Sequence, residues 1–87
     1  MSHTTASISL DLETYIRDHF HVAAEDTYFN RDLHLWKEGY VDSTGAVEVV
    51  AFLEERYDLR LPDEVLFDPT FTSINGIAAK VFELLNG

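Results

Sequence analysis

The sequence contains no cysteine, which excludes disulfides, thiolate metal sites and a protein thiol as a reactive group. It has no apolar run near the ~18 residues that a membrane-spanning helix needs. Its start is polar and lacks the basic and then apolar pattern of a secretory signal. We therefore expect a cytoplasmic protein. Since the sequence also shows no metal cluster and no catalytic base near a nucleophile, any chemistry is expected to depend on a group attached to the chain.

Basic residues are scarce as well. Six Lys and Arg against 16 Asp and Glu give a formal net charge of −10. Such a charge repels nucleic acid and anionic membranes, and it favours approach to basic surfaces of other proteins. The same charge could serve solubility alone, and composition does not distinguish the two.

The chain is too short for an elaborate active site. Its 87 residues, 46% of them hydrophobic, predict a single globular domain. A chain of this size buries roughly 60–65% of its unfolded surface, so a cleft with several buried polar groups would be costly. We expect a monomer that binds no nucleic acid and no metal.

Apolar residues at helical spacing predict three long helices and one short helix, and no stretch alternates as a strand would. A flexible stretch over 1–7 is followed by one domain over 8–87. Its first helix is predicted over about 10–22, with Ser9 as the N-cap.

The second helix is predicted over about 43–57, a short turn over 63–67, and the last helix after a cap at Thr72 or Ser73. These elements predict an all-α fold, a small four-helix bundle. The long connection over 24–42 has no helical period, and scattered apolar residues are expected to hold it against the core. They are Leu33, Leu35, Trp36, Tyr40 and Val41.

The second helix carries more than one kind of face. The residues expected to face the core are Ala46, Val49, Val50, Leu53 and Tyr57. A neighbouring stripe is partly apolar and partly acidic and suits a surface that docks against another molecule; it holds Val47, Ala51, Glu54 and Asp58.

The pair Asp42-Ser43 opens the second helix and is the best candidate for a site. No G-x-S-x-G elbow surrounds Ser43, and a base is not nearby in sequence, although His34 could fold back onto it. From the residues alone, the simplest interpretation is that Asp42 or Ser43 caps the helix.

The histidines do not predict a metal site. His19 and His21 are two residues apart and face different sides of the first helix. His19 lies on the apolar stripe and is interpreted as a satisfied histidine at the edge of the core. No residue is predicted to be catalytic.

A wider pattern surrounds the serine. From residue 32 the chain is D-L-H-L-W-K-E-G-Y-V-D-S, followed by T-G-A-V-E-V-V-A-F-L-E-E-R-Y and, from residue 59, L-R-L-P-D-E. This pattern resembles the acyl and peptidyl carrier protein family, in which an acidic residue and an L-F-x-x-G-like segment precede a D-S pair that opens a helix. The matching positions are Asp32, Leu35, Trp36, Gly39, Asp42 and Ser43. The resemblance covers about residues 8–85.

The resemblance implies an acyl-carrier-type four-helix bundle with a 4′-phosphopantetheine arm on Ser43, attached by a phosphopantetheinyl transferase that Asp42 helps to engage. The arm would carry acyl or aminoacyl cargo as a thioester, and the chain itself would not be an enzyme. Basic patches of the partner enzymes would dock on the second helix. The docking residues implied by the resemblance are Thr44, Val47, Glu48, Ala51, Glu54 and Glu55.

Two departures bear on the choice of partner. Thr44 stands where a large apolar residue is common in the family, and Gly45 stands where fatty acid carriers often have an acidic residue. The chain is most similar to stand-alone aminoacyl or D-alanyl-type carriers, which adenylating ligases load in biosynthetic pathways of the non-ribosomal peptide kind. A fatty acid or polyketide carrier is the second hypothesis. An acidic helical adaptor without an arm is the third, and an enzyme is the last.

Overall fold

The computed structural model describes residues 3–86, which form four α-helices and no strand. The helices are α1 (Thr5–His19), α2 (Ser43–Tyr57), α3 (Asp63–Leu66) and α4 (Ile74–Asn86). This confirms the predicted all-α, four-helix fold with a long connection between the first two helices. None of the helices in residues 3–86 has the length and apolar character needed to cross a membrane.

α1 begins earlier than predicted, because a capping box starts it at Thr4. The Ser7 N–H donates to the Thr4 hydroxyl and the Thr4 N–H donates to the Ser7 hydroxyl, both at 3.0 Å. This reciprocal pair satisfies two backbone N–H groups at the helix start. The predicted start near residue 10 is therefore wrong, and Ser9 is a buried residue inside the helix instead of its cap. Met1 and Ser2, part of the stretch predicted to be flexible, lie outside the described residues.

α1 also ends earlier than predicted, at His19 instead of near residue 22. The Phe20 N–H makes the last helical hydrogen bond, to the Ile16 carbonyl at 3.0 Å. His21 then adopts a φ of 55°. A left-handed residue at this point directs the chain out of the helix.

One apolar core joins the four helices. Its buried side chains include Ile8, Leu12 and Ile16 of α1, Val49, Leu53 and Tyr57 of α2, Val65 of α3, and Ile74, Ile77 and Val81 of α4. The core face of α2 differs from the predicted one, because Gly45 is buried while Ala46 and Val50 are only half-buried. The buried residues of α2 follow a spacing of four, which places them on one face of the helix.

The long connection between α1 and α2 is fixed to the core, as predicted. Leu35 and Val41 are buried. The Leu35 N–H donates to the Thr72 carbonyl at 2.8 Å. The Leu35 carbonyl accepts the N–H groups of Tyr40 and Val41 at 3.0 and 3.2 Å. These bonds set the place where the chain enters α2.

Asn75 of α4 ties three parts of the chain together. Its side-chain amide donates to the Asp32 carboxylate at 2.7 Å and accepts the Ser9 hydroxyl at 3.4 Å. Its backbone N–H donates to the Arg31 carbonyl at 2.9 Å. One residue thus joins α1, the connection and α4.

Polar contacts also hold the connection in place. The Glu13 carboxylate accepts hydrogen bonds from Arg17 at 2.9 Å and from Arg31 at 2.6 Å, and these bonds lower the pKa of Glu13. The Tyr40 hydroxyl donates to Asp26 at 2.7 Å. That bond raises the pKa of Tyr40 to about 12 and lowers the pKa of Asp26.

The exit from α2 is held by its own last turns. Asp58 has a left-handed φ of 51°, and its N–H donates to the Glu54 carbonyl. The Glu54 carboxylate accepts the Leu61 N–H at 2.8 Å. These contacts turn the chain towards α3, which lies beside the start of α2.

Candidate attachment site and docking surface

Asp42 is the cap of α2, and Ser43 is the first residue of the helix. Asp42 has an extended backbone, its Oδ1 accepts the Gly45 N–H at 2.7 Å, and its carbonyl accepts the Ala46 N–H at 2.8 Å. Asp42 therefore caps the helix, and Ser43 is not needed as a cap. Ser43 is exposed. Its hydroxyl stands at the positive end of the helix dipole, beside the first N–H groups of the helix.

Gly45 allows α1 to approach this helix start closely. A Cβ atom at Gly45 would lie 2.6 Å from Cε1 of Phe20 and 3.0 Å from a methyl group of Val41. No side chain fits there without moving the Phe20 ring. Packing therefore explains why Gly45 stands where fatty acid carriers often have an acidic residue, because the Phe20 ring occupies the space of a side chain.

An apolar cavity of about 510 Å³ opens beside Ser43. It lies between the start of α2, the end of the connection and α3. The lining residues are Trp36, Val41, Asp42, Ser43, Ala46, Val47, Val50, Leu66, Phe67 and Phe71. Phe71 is buried, whereas Phe67 at the rim is 84% exposed and Val47 is 67% exposed. The cavity is therefore apolar inside and has exposed apolar side chains at its rim.

A smaller polar groove of about 320 Å³ lies on the other side of Asp42. Its lining residues are His19, Phe20, Gly39, Tyr40, Asp42, Thr44 and Glu48. Gly39 turns the chain there with a φ of 82°, a conformation that glycine adopts without strain. The helix start is thus flanked by an apolar recess towards α3 and a polar one towards α1.

The residues predicted to form the docking face do not all present their side chains to solvent. Thr44, Val47, Glu48, Ala51 and Glu55 are exposed. Glu54 is half-buried, and its carboxylate holds the Leu61 N–H. Five of the six residues thus share one exposed surface, while Glu54 helps to hold the exit from α2.

His19 is a satisfied histidine at the end of α1, in agreement with its interpretation from the sequence. Its ring stacks on Tyr15, with centroids 4.9 Å apart, and its Nε2 lies 2.7 Å from Glu48 Oε2. His21 is exposed and has the left-handed φ described above. Within residues 3–86, no group of three or more His, Cys, Asp or Glu side chains is arranged to hold a metal ion.

Two contacts near the site were missed by the sequence analysis. Gly45 in the first turn of a helix was a usable signal, because glycine there costs helix propensity and indicates a close approach. The pair of His19 and Glu48 had no such signal, because 29 residues separate them.

Comparison with known proteins identifies the family. The chain is 36% identical over 62 residues to the D-alanyl carrier proteins of Streptococcus sanguinis, Streptococcus gordonii and Streptococcus thermophilus, over 71% of its own length and 78% of theirs. The chain belongs to the acyl and peptidyl carrier protein family. No family model matches the sequence, and no solved structure matches the chain.

Membership of the carrier family agrees with the helical fold. Carrier proteins are not themselves enzymes, and the relatives therefore confirm the prediction that this chain is not one. An enzyme, the last of the hypotheses, is excluded by the same finding. The structure adds what surrounds the serine of this carrier: a separate cap, an apolar cavity and a polar groove.

Proposed function

We propose that this carrier holds an aminoacyl group on a 4′-phosphopantetheine arm attached to Ser43. The observation that carries the proposal is the exposed serine at the first position of α2, where Asp42 already provides the cap. The serine hydroxyl is thus available for a covalent bond without loss of the helix start. The names of the relatives support aminoacyl cargo.

The residues around Ser43 fit such an arm. A phosphodiester at a helix start meets backbone N–H groups and the positive end of the dipole, which favour an anion. Apolar parts of the arm would meet Val47 and Phe67 at the rim of the cavity. The arm would supply the thiol that this cysteine-free chain lacks, and the cargo would be bound to it as a thioester.

In the attachment reaction, the oxygen of Ser43 replaces adenosine 3′,5′-bisphosphate on the pantetheine phosphate of coenzyme A. The serine loses its proton, and a phosphopantetheinyl transferase provides the catalysis. Asp42 assists recognition by that transferase while it caps the helix. An adenylating ligase then loads the cargo. We place these encounters in the cytoplasm, with the carrier acting as a monomer.

Docking of both partners is assigned to the exposed surface of α2. Thr44, Val47 and Ala51 supply its uncharged part, and Glu48 and Glu55 supply acidic groups for basic patches of the partners. The net charge of −10 favours the approach of such patches from a distance. Glu54 contributes to this surface through the shape of the helix exit that it holds.

The test is the intact mass of the chain after incubation with coenzyme A and a promiscuous phosphopantetheinyl transferase. The wild type should gain one phosphopantetheine, and Ser43→Ala should gain none. Ser73→Ala is the matched control, because it removes a serine hydroxyl at the start of another helix, α4. In the wild type that hydroxyl accepts the Gly76 N–H at 3.0 Å. That variant should be loaded like the wild type. A wild type that gains no mass with several transferases would instead support the adaptor without an arm.

The apolar cavity favours a second candidate, a carrier of fatty acyl or polyketide chains. A promiscuous transferase can attach arms that already bear an alanyl or an octanoyl group. If apolar cargo enters the cavity, the octanoyl form should melt several degrees above the alanyl form, because apolar area is then buried. Equal melting temperatures would leave aminoacyl cargo as the better assignment.

A further inference from the structure

The carboxylate of Glu48 is already bound within the chain. Glu48 Oε2 lies 2.7 Å from Nε2 of His19. An ionised carboxylate only accepts hydrogen bonds, so the histidine is the donor, and either the imidazolium or the neutral ring with its proton on Nε2 can fill that role. The two side chains are 40% and 46% exposed, so a partner docked on α2 can reach the pair.

The His19 ring is held in place by its neighbours. It stacks nearly parallel on Tyr15, and Phe20 meets it edge-on with centroids 4.9 Å apart. The Tyr15 hydroxyl also donates to the backbone carbonyl of Glu48, at 3.4 Å. α1 thus contacts both the backbone and the side chain of Glu48. Because Phe20 packs against Gly45, this contact is part of the same packing that sets the start of α2.

Glu54, a second acidic residue predicted for the docking face, is also hydrogen-bonded within the chain. The Glu54 carboxylate accepts the Leu61 N–H at 2.8 Å. Two of the three carboxylates predicted to meet basic partners are therefore bonded inside the protein. They differ in kind, because Glu54 holds a backbone group whereas Glu48 holds a side chain that can be exchanged for another cation.

We propose that His19 is a specificity-determining residue, which keeps Glu48 from partners unless a basic side chain takes the place of the imidazole. This inference rests on the proposed function and adds a restriction to its docking surface. A partner with a well-placed Arg or Lys replaces the imidazole as the donor to Glu48, and an Arg can do so with two parallel hydrogen bonds instead of one. A partner without such a cation finds a satisfied carboxylate and gains nothing from Glu48.

The test compares transferase kinetics, with coenzyme A as donor and the carrier as variable substrate. His19→Phe keeps the aromatic stack on Tyr15 but has no donor. It should lower the KM for the carrier about two- to five-fold, the range of an exposed ion pair. The kcat should not change, and KM should become more sensitive to salt, because Glu48 is then open to the partner's cation.

A double-mutant cycle assigns the effect to the pair. Glu48→Gln should raise KM, and His19→Phe added to Glu48→Gln should change KM no further. His19→Gln, which can still donate, should stay near the wild type. The control is His21→Asn, which removes a nearby histidine and tolerates the left-handed backbone there. If His19→Phe does not fold by circular dichroism, His19→Ala lacks the donor too and repeats the comparison.

The outcomes separate this inference from the proposed function. A wild type that is loaded, with a KM that His19→Phe leaves unchanged or raises at low salt, would overturn the role of His19 alone. The same holds if His19→Phe lowers KM equally in the Glu48→Gln background. A wild type that gains no arm overturns the attachment at Ser43, and the role of His19 with it.

Discussion

The two recesses beside Ser43 are built from different kinds of side chain. The recess towards α3 is lined by aliphatic and aromatic groups, with an exposed Phe67 at its rim and a buried Phe71 behind it. The groove towards α1 is lined by groups that form directional bonds, such as the bond between the Tyr40 hydroxyl and Asp26. Apolar contacts can be rearranged without an unsatisfied polar group, whereas hydrogen bonds fix a geometry. The recess towards α3 can therefore adapt its shape to what it contacts, whereas the groove towards α1 has a fixed shape.

The largest effect is expected on the apolar side. Phe71→Ala should lower the free energy of unfolding by about 3–5 kcal/mol, because Phe71 is only 1% exposed and its removal leaves a void. Phe67→Ala is the matched control in the same cavity, and it should change the value by less than about 0.5 kcal/mol. Urea denaturation measures both. Equal losses would contradict the distinction between a buried floor and a solvent-facing rim.

A smaller effect is expected where α1 meets the start of α2. Gly45→Asp places the acidic residue of fatty acid carriers into the space of the Phe20 ring, and should cost about 1–3 kcal/mol of unfolding free energy. Ala51→Asp introduces the same side chain at an exposed position of the same helix, and should cost only about 0.7 kcal/mol, the difference in helix propensity between Ala and Asp. Denaturation midpoints at one pH suffice. Unfolding free energies that match for the two variants would show that the Phe20 ring yields freely.

The smallest effect concerns pH and the bond between Tyr40 and Asp26. The pKa of Asp26 is lowered from 3.8, so its contribution to stability is present at neutral pH and is lost as the pH falls below that value. The pKa of Tyr40 is raised from 10 to about 12, so its contribution is complete below pH 10 and is lost as the pH rises through 12.

Tyr40→Phe should therefore be less stable than the wild type at pH 7, and the difference should shrink towards pH 3 and again above pH 10. Thermal melting across that range measures it. Asp26→Asn should be less stable at pH 7 than Tyr40→Phe, because the Asp26 carboxylate also accepts the N–H groups of Tyr28 and Phe29 at 3.0 and 3.2 Å, and adding Tyr40→Phe to Asp26→Asn should cost little more. A difference that stays constant with pH would mean that packing of the Tyr40 ring, and not its hydrogen bond, decides the stability.

The sequence was sufficient for the features that depend on neighbouring residues. The bounds of α2 were predicted correctly, because Asp42 is a good cap and the chain breaks after Tyr57. The start of α1 is also a local signal, since Thr4 and Ser7 form the capping box, but the apolar period predicts a start near residue 10. That prediction was wrong by about one and a half turns because Thr4, and not Ser9, caps the helix.

The features that the sequence did not supply depend on contacts between distant segments. The core face of α2 is rotated towards Gly45 because Phe20 packs there, and Phe20 comes from the end of another helix. Glu48 was predicted only as a docking residue, since its partner His19 lies 29 residues away. Glu54 was predicted so too, although its partner Leu61 is only seven residues away, because the left-handed turn at Asp58 brings Leu61 back to it. The role of Ser43 in attachment stays a prediction, while its exposure and the separate cap are structural facts.

The side chain of Asn75 has a consequence for the order in which the molecule opens. It is hydrogen-bonded to both α1 and the connection before α2, so the connection is not released unless α4 gives up a bond as well. Slow amide exchange is then expected for Leu35, whose N–H is bonded across the chain to the Thr72 carbonyl. The connection, which has neither helix nor strand at Leu35, is therefore expected to open together with α4. Ser43, which follows the connection, is then held in a fixed place relative to the core.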